Sequence, residues 1–160
     1  MSGKTLFGDE PKYASSDDVY SPPHLFERLG LTFDLDVCAP KGGLPWIPAE
    51  RSLSIEDDGL KSDWHGRVWM NPPYSDVSPW VRKWLEHGNG VCLVPCAKSA
   101  WFRDLWRYAD GMTYPTRPDG NPNLHWIKNG RNDYGIFMPV VLASMGEKCT
   151  AALQVFGRVR

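Results

Sequence analysis

The chain has no apolar run of about 18 residues, the length a bilayer-crossing helix needs, so no membrane span is expected. It has no excess charge of either sign: 18 Lys and Arg stand against 19 Asp and Glu, for a net charge of -1. Overall charge therefore does not attract nucleic acid, and such a partner would need a local cationic patch. The four cysteines, Cys38, Cys92, Cys96 and Cys149, form no CxxC pair and no zinc-finger spacing. They read as reduced core thiols. His24, His65, His87 and His125 lack any ligand spacing such as HExxH, so no metal is expected. No Ser-His-Asp set and no paired catalytic carboxylates stand out. There is no repeat and no low-complexity tract. The opening "MSGKTLFGDE" lacks an apolar signal segment, and a soluble, intracellular protein is the expectation.

What is present suits one folded domain. The 160 residues are 42% hydrophobic and 12% aromatic, enough for a single core. Eight tryptophans are many for this length and leave room for a site that stacks on flat ligands. Trp69, Trp80 and Trp84 fit core positions, whereas Trp126 stands in a polar segment. Residues 1–17 are polar and read as a loose arm. Residues 18–160 read as the domain. "SPPHLFERLG" predicts a short amphipathic helix stopped by Gly30. "LTFDLDVCAP" predicts a buried strand from Thr32 to Val37, and "GRVWMN" another. "SPWVRKWLEHG" predicts a helix, with Ser78 as N-cap, Pro79 at the first position and Gly88 after the end. "GVCLVPC" and "SAWFRDLWRYA" give the next strand and helix. This alternation implies an α/β fold with a mainly parallel sheet. A polar, turn-rich insert fills about 115–133. "YGIFMPVVLASM" and "TAALQVFGRV" read as two strands of an antiparallel C-terminal hairpin closing one sheet edge.

The stretch "VWMNPPYS" carries the chemistry. Strand ends of open parallel sheets are where ligands bind. Asn71 stands at one such end and Asp36 at another, so neighbouring strands would bring both to one crevice. Pro72 and Pro73 lack N–H groups and cannot extend a ladder, which leaves a stiff backbone with the Pro72 carbonyl aimed outward. The Asn71 side-chain oxygen and that carbonyl make two acceptors able to grip one planar –NH2 group. Tyr74 can lay its ring against the flat system bearing the amine. Two acceptors favour the pyramidal, cationic form of the amine as a new N–C bond grows. The plainer account of Asn71 to Tyr74 is a strand-terminating turn, and of Asp36 a cap or turn residue.

Taken in order, "SPPHLFERLG", "FDLDVCA", "EDDGL", "VWMNPPYS" and "LVPCAKSAWF" make the chain resemble the phage-type DNA N6-adenine methyltransferases, the phage Dam-like family. The likeness runs from about residue 20 to 103. It implies a Rossmann-like methyltransferase fold with helices on both faces of the sheet. S-adenosylmethionine is the implied donor, and a flipped adenine in DNA the implied acceptor. By the same resemblance Asn71 and Pro72, with Pro73 and Tyr74, hold the adenine. Asp36 falls beside the donor's methionine end, Ala39 is among the donor-binding residues, and Ser21 and Pro22 lie in a segment closing over it. Asp57 or Asp58 falls near the ribose hydroxyls, with the choice between them open. The chain departs from many members of the wider superfamily: no glycine-rich loop directly follows the first strand, and Gly42 and Gly43 come several residues later.

No separate recognition domain fits in this length. Arg117, His125, Trp126, Lys128 and Arg131 in the insert combine cations with an aromatic ring, a mix that suits nucleic acid. Lys98, beyond the third strand, suits a phosphate, and Arg103 shares that reading. So small an insert leaves open a homodimer that shares the reading of sequence. The resemblance also implies a phage- or prophage-encoded protein working in bacterial cytoplasm. Rival functions are amine methylation of RNA guanine or protein glutamine, and a non-catalytic binding module derived from a methyltransferase.

Overall fold

The computed structural model describes residues 19–128, 131–134 and 139–160, with only the backbone given for 131–134. The arm expected over residues 1–17 lies outside the described residues. A six-stranded sheet forms the centre, in the order β2-β1-β3-β4-β8-β5. β1 (Phe33–Asp36), β2 (Ala49–Ser52), β3 (Val68–Met70) and β4 (Gly90–Pro95) pair in parallel. β8 (Val140–Met145) runs antiparallel to β4 on one side and to β5 (Gly111–Thr113) on the other. β6 (Trp126–Lys128) and β7 (Arg131–Tyr134) make a separate two-stranded sheet in the insert.

Strand alternation sorts the core onto two faces. Trp69, Val91, Leu93 and Leu142 point to one side, where α1 (Pro23–Leu29) and α4 (Glu147–Leu153) cover them with Leu25, Phe26, Cys149 and Leu153. Val68, Met70, Cys92 and Val141 point to the other. There α2 (Ser78–His87) and α3 (Ala100–Tyr108) supply Trp80, Val81, Trp84 and Leu105. Central strands buried on both faces are continuous apolar runs, which is why "VCLV" carries no polar residue. β2 lies at an edge and is polar and exposed over Glu50, Arg51 and Ser52, a composition that discourages pairing with another chain.

Two local expectations need correction. The C-terminal hairpin does not form. "YGIFMPVVLASM" contributes β8, but "TAALQVFGRV" continues α4 and ends in a 3-10 turn, Gln154–Phe156. Cys149 and Leu153, four apart, are the buried pair, and Ala151 and Ala152 are strong helix formers. The Thr150 hydroxyl bonds the Gly146 carbonyl at 2.9 Å and meets the Ser144 hydroxyl at 2.8 Å, which fixes the first turn. The antiparallel neighbours of β8 are β4 and β5 instead. The second correction is one residue in size: Val77, not Ser78, is the N-cap of α2, and no side chain caps it. Pro79 needs no N–H partner there, so the start tolerates that arrangement.

Candidate active site

The site begins where β1 and β3 end. The two strands are neighbours, with Asp36 level with Trp69. Asn71 follows β3 directly. A cavity of about 520 Å³ opens there, within the range of ~300–1,000 Å³ typical of small-molecule sites. Ser21, Asp36, Ala39, Asp58, Asn71, Pro72 and Pro73 all line it. Seven of the residues singled out from sequence therefore meet in one space. Three others do not line it. Pro22 is the buried N-cap of α1. Asp57 turns its carboxylate onto the Ser54 backbone N–H, at 2.8 Å, and the Ser54 hydroxyl, at 3.3 Å. Tyr74 is half-buried, packs against both core clusters and donates its hydroxyl to the Leu93 carbonyl at 3.3 Å. Burial holds the Tyr74 phenol well above its ordinary pKa, so it stays protonated and keeps that bond.

The Asn71 amide has a fixed neighbour. Its nitrogen donates to the Ser21 hydroxyl at 3.1 Å, and Ser21 is 1% exposed. The Trp46 indole N–H in turn donates to the Ser21 carbonyl at 2.8 Å. With the amide nitrogen engaged, the side-chain oxygen is the end left for the cavity. Backbone pairing anchors the same segment from behind: Tyr20 N–H donates to the Ile127 carbonyl at 2.8 Å, and Ile127 N–H to the Tyr20 carbonyl at 3.0 Å.

Asp36 is the strongest electrostatic feature. It is 2% exposed, and among the described residues no cation pairs with it. Burial raises its pKa from 3.8 to about 7, opposed only by the Cys38 backbone N–H at 3.3 Å. An ionised Asp36 is thus an uncompensated buried charge, which a cationic ligand would neutralise.

The opposite wall is a tight loop. Asp58 adopts a left-handed conformation, φ 52°, which aspartate tolerates better than most side chains. Gly59 follows, and a Cβ there would lie 2.3 Å from the Val37 carbonyl and 2.8 Å from the Trp80 ring. Only glycine lets the loop press onto the end of β1. Lys83 of α2 fastens the loop by donating to the carbonyls of Gly59, Leu60 and Ser62, with its ammonium 4.9 Å from the Trp64 ring centre. Sequence reasoning missed Lys83 because its role depends on α2 crossing behind the loop. It also missed Lys41, Ile55 and Trp80 as lining residues. Of these, Lys41 had a local signal in the Lys-Gly-Gly turn after β1.

The residues expected to meet nucleic acid are scattered. Lys98 is exposed just beyond β4, on the same sheet edge as Asp36 and Asn71. Arg117 pairs with Asp119 at 3.4 Å and contacts His125. Trp126 is 2% exposed and sets its ring edge-on to Tyr74, with centroids 6.4 Å apart. Lys128 is 6% exposed, so neither it nor Trp126 presents an open contact surface here. Arg131 belongs to β7, where its backbone pairs with Lys128.

A parallel-centred α/β sheet with Asn-Pro-Pro-Tyr and a buried carboxylate at adjacent strand ends defines a class, and comparison with known proteins agrees on which. The chain belongs to the DNA N-6-adenine-methyltransferase (Dam) family, whose sequence model matches residues 9–150. It is similar to the DNA N-6-adenine-methyltransferase of Haemophilus phage HP1 (strain HP1c1), at 29% identity over 127 residues, covering 72% of this chain and 69% of the relative. No solved structure matches it significantly. Among the described residues, no group of three or more His, Cys, Asp or Glu is arranged to hold a metal ion. None of their helices is long and apolar enough to cross a membrane.

Proposed function

We propose that this protein methylates the exocyclic amine of adenine in DNA, with S-adenosylmethionine as donor, on a Rossmann-like methyltransferase fold. The observation that carries the reading is the shared cavity: Asn71, its amide held by Ser21, faces the same space as the unpaired buried Asp36. Family membership supports the reaction class. The donor fits the residues present, since its cationic groups answer the uncompensated carboxylate and the cavity volume suits a ligand of its size.

When bound, S-adenosylmethionine supplies a methyl group activated as a sulfonium. The residues of this chain do the rest by position and charge. Asp36 supplies the countercharge, with Ala39 beside it in the wall, while Ser21 and Pro22 bring the α1 start over the cavity. Asp58 rather than Asp57 is assigned to the ribose hydroxyls, because the Asp57 carboxylate is already used by Ser54. Asn71 Oδ1 and the Pro72 carbonyl accept the two N–H bonds of the target amine. These bonds strengthen as the nitrogen becomes pyramidal and cationic, so the acceptors favour the transition state over the ground state. Pro73 keeps the turn rigid, and Tyr74, packed against the core with its hydroxyl on the Leu93 carbonyl, supports the turn from behind. Lys98, Arg117 and Arg131 are assigned to the DNA backbone. Trp126 and Lys128 serve it by building the insert from within.

Transfer of tritiated methyl groups to unmethylated DNA tests the reading, with RNA and protein offered as competing acceptors. Wild type should label DNA, and Asn71→Ala should lose about 10²–10³ in rate, as expected for one preorganised polar contact. Labelling of RNA or protein instead, or donor binding with no transfer to anything, would overturn it.

A further inference from the structure

Lys41 is the single basic side chain among the described residues that line the cavity, against two carboxylates, Asp36 and Asp58. It occupies the corner of a tight turn, Pro40 to Gly43, closed by the Gly43 N–H on the Pro40 carbonyl at 2.9 Å. Gly42, at φ +83°, provides the left-handed third position that such a turn requires. The Lys41 ammonium meets Glu56 Oε1 at 3.1 Å, with the two side chains 80% and 63% exposed. Glu56 lies on the turn that also carries Ile55 and Asp58, so the ion pair joins two loops of the cavity rim. Exposed pairs of this kind hold weakly and exchange readily.

Charge bookkeeping at the rim gives the pair a purpose. The donor proposed above bears two cationic groups and one carboxylate. The lining offers Asp36 to a cationic group and one ammonium, Lys41, to the carboxylate, while Asp58 stays with the ribose hydroxyls. A carboxylate entering beside Asp36 and Asp58 without a cation would be repelled. We propose that Lys41 receives the amino-acid carboxylate of the donor, leaving Glu56 to do so, and thereby selects donors that keep that group. The assignment rests on the S-adenosylmethionine reading and adds a residue to it.

Titration calorimetry with S-adenosylmethionine and its decarboxylated analogue separates the two claims. Wild type should bind the carboxylated compound about 10-fold more tightly, the worth of one charge-assisted hydrogen bond. Lys41→Met should bind both compounds alike, at the affinity wild type shows for the analogue; that unchanged affinity also reports an intact fold. Lys41→Arg should keep the preference. Glu56→Gln should raise affinity for the carboxylated compound about two- to three-fold by freeing Lys41. Equal binding of the two compounds by wild type, or an undiminished preference in Lys41→Met, overturns the Lys41 assignment alone. Binding of neither compound overturns the donor reading and this assignment with it.

Discussion

Replacing Asp36 by asparagine should stabilise the free protein at alkaline pH while weakening its hold on a cationic ligand. The carboxyl is 2% exposed, and among the described residues no cation pairs with it. Its pKa rises from 3.8 to about 7 on folding, chiefly through burial. The folded state therefore keeps a proton that the unfolded state has already lost between those values. Stability falls as pH rises through that window and levels off above about 7. A rise from 3.8 to about 7 corresponds to about 4 kcal/mol at full ionisation. Asparagine keeps the oxygen that accepts the Cys38 N–H and removes the charge. The gain at pH 8.5 will be smaller than that figure, because the new amide protons need partners. A rise in melting temperature of up to roughly 10 °C is the scale for a chain of this size. Thermal melts of wild type and variant from pH 3 to 9 provide the assay. The two curves should converge at the acid end, where the carboxyl is neutral in both folded and unfolded chains, and separate as pH rises. Calorimetry at pH 8.5 should find donor binding to the variant weakened by at least an order of magnitude. Parallel melting curves, or undiminished donor binding, would refute the reasoning about Asp36.

Outcomes at three further positions follow from contacts around the cavity. Ser21→Ala frees the Asn71 amide, so turnover should drop about 10-fold with donor affinity unchanged, measured by kcat against the calorimetric Kd. Lys83→Met removes the donor to the Gly59, Leu60 and Ser62 carbonyls, and should weaken donor binding more than it slows single-turnover transfer. Trp126→Ala should destabilise the fold by about 3–5 kcal/mol in urea melts, as for any fully buried aromatic. The milder Trp126→Phe should leave donor affinity intact and slow transfer, because it loosens Tyr74.

The central part of the fold was legible because its strands are short apolar runs closed by unmistakable stops. "VWMNPPY" declares both a buried strand and its end, and "FDLD" places a carboxylate at another. The pairing of β1 with β3, which the sequence left conditional, then brings Asp36 and Asn71 together. The choice between Asp57 and Asp58 was not legible. Both precede Gly59, and they differ only in the fold: Ser54 N–H and hydroxyl capture the Asp57 carboxylate, while Asp58 lines the cavity. Trp126 misled because a tryptophan among polar residues reads as exposed. Its burial comes from the Tyr20–Ile127 pairing, a contact between segments about a hundred residues apart. The C-terminal segment misled because a short apolar run fits strand and helix alike, and only the packing of Cys149 and Leu153 against the sheet decides.

The account stands on two strand ends serving one reaction, the donor's cation at Asp36 and the target amine at Asn71. A crystal structure with the donor analogue sinefungin and an adenine-bearing oligonucleotide measures this directly. The account predicts the target amine within hydrogen-bond distance of Asn71 Oδ1 and the Pro72 carbonyl, with the analogue's cationic end beside Asp36. An analogue bound elsewhere, or an amine that reaches Asp36 but not Asn71, would contradict it.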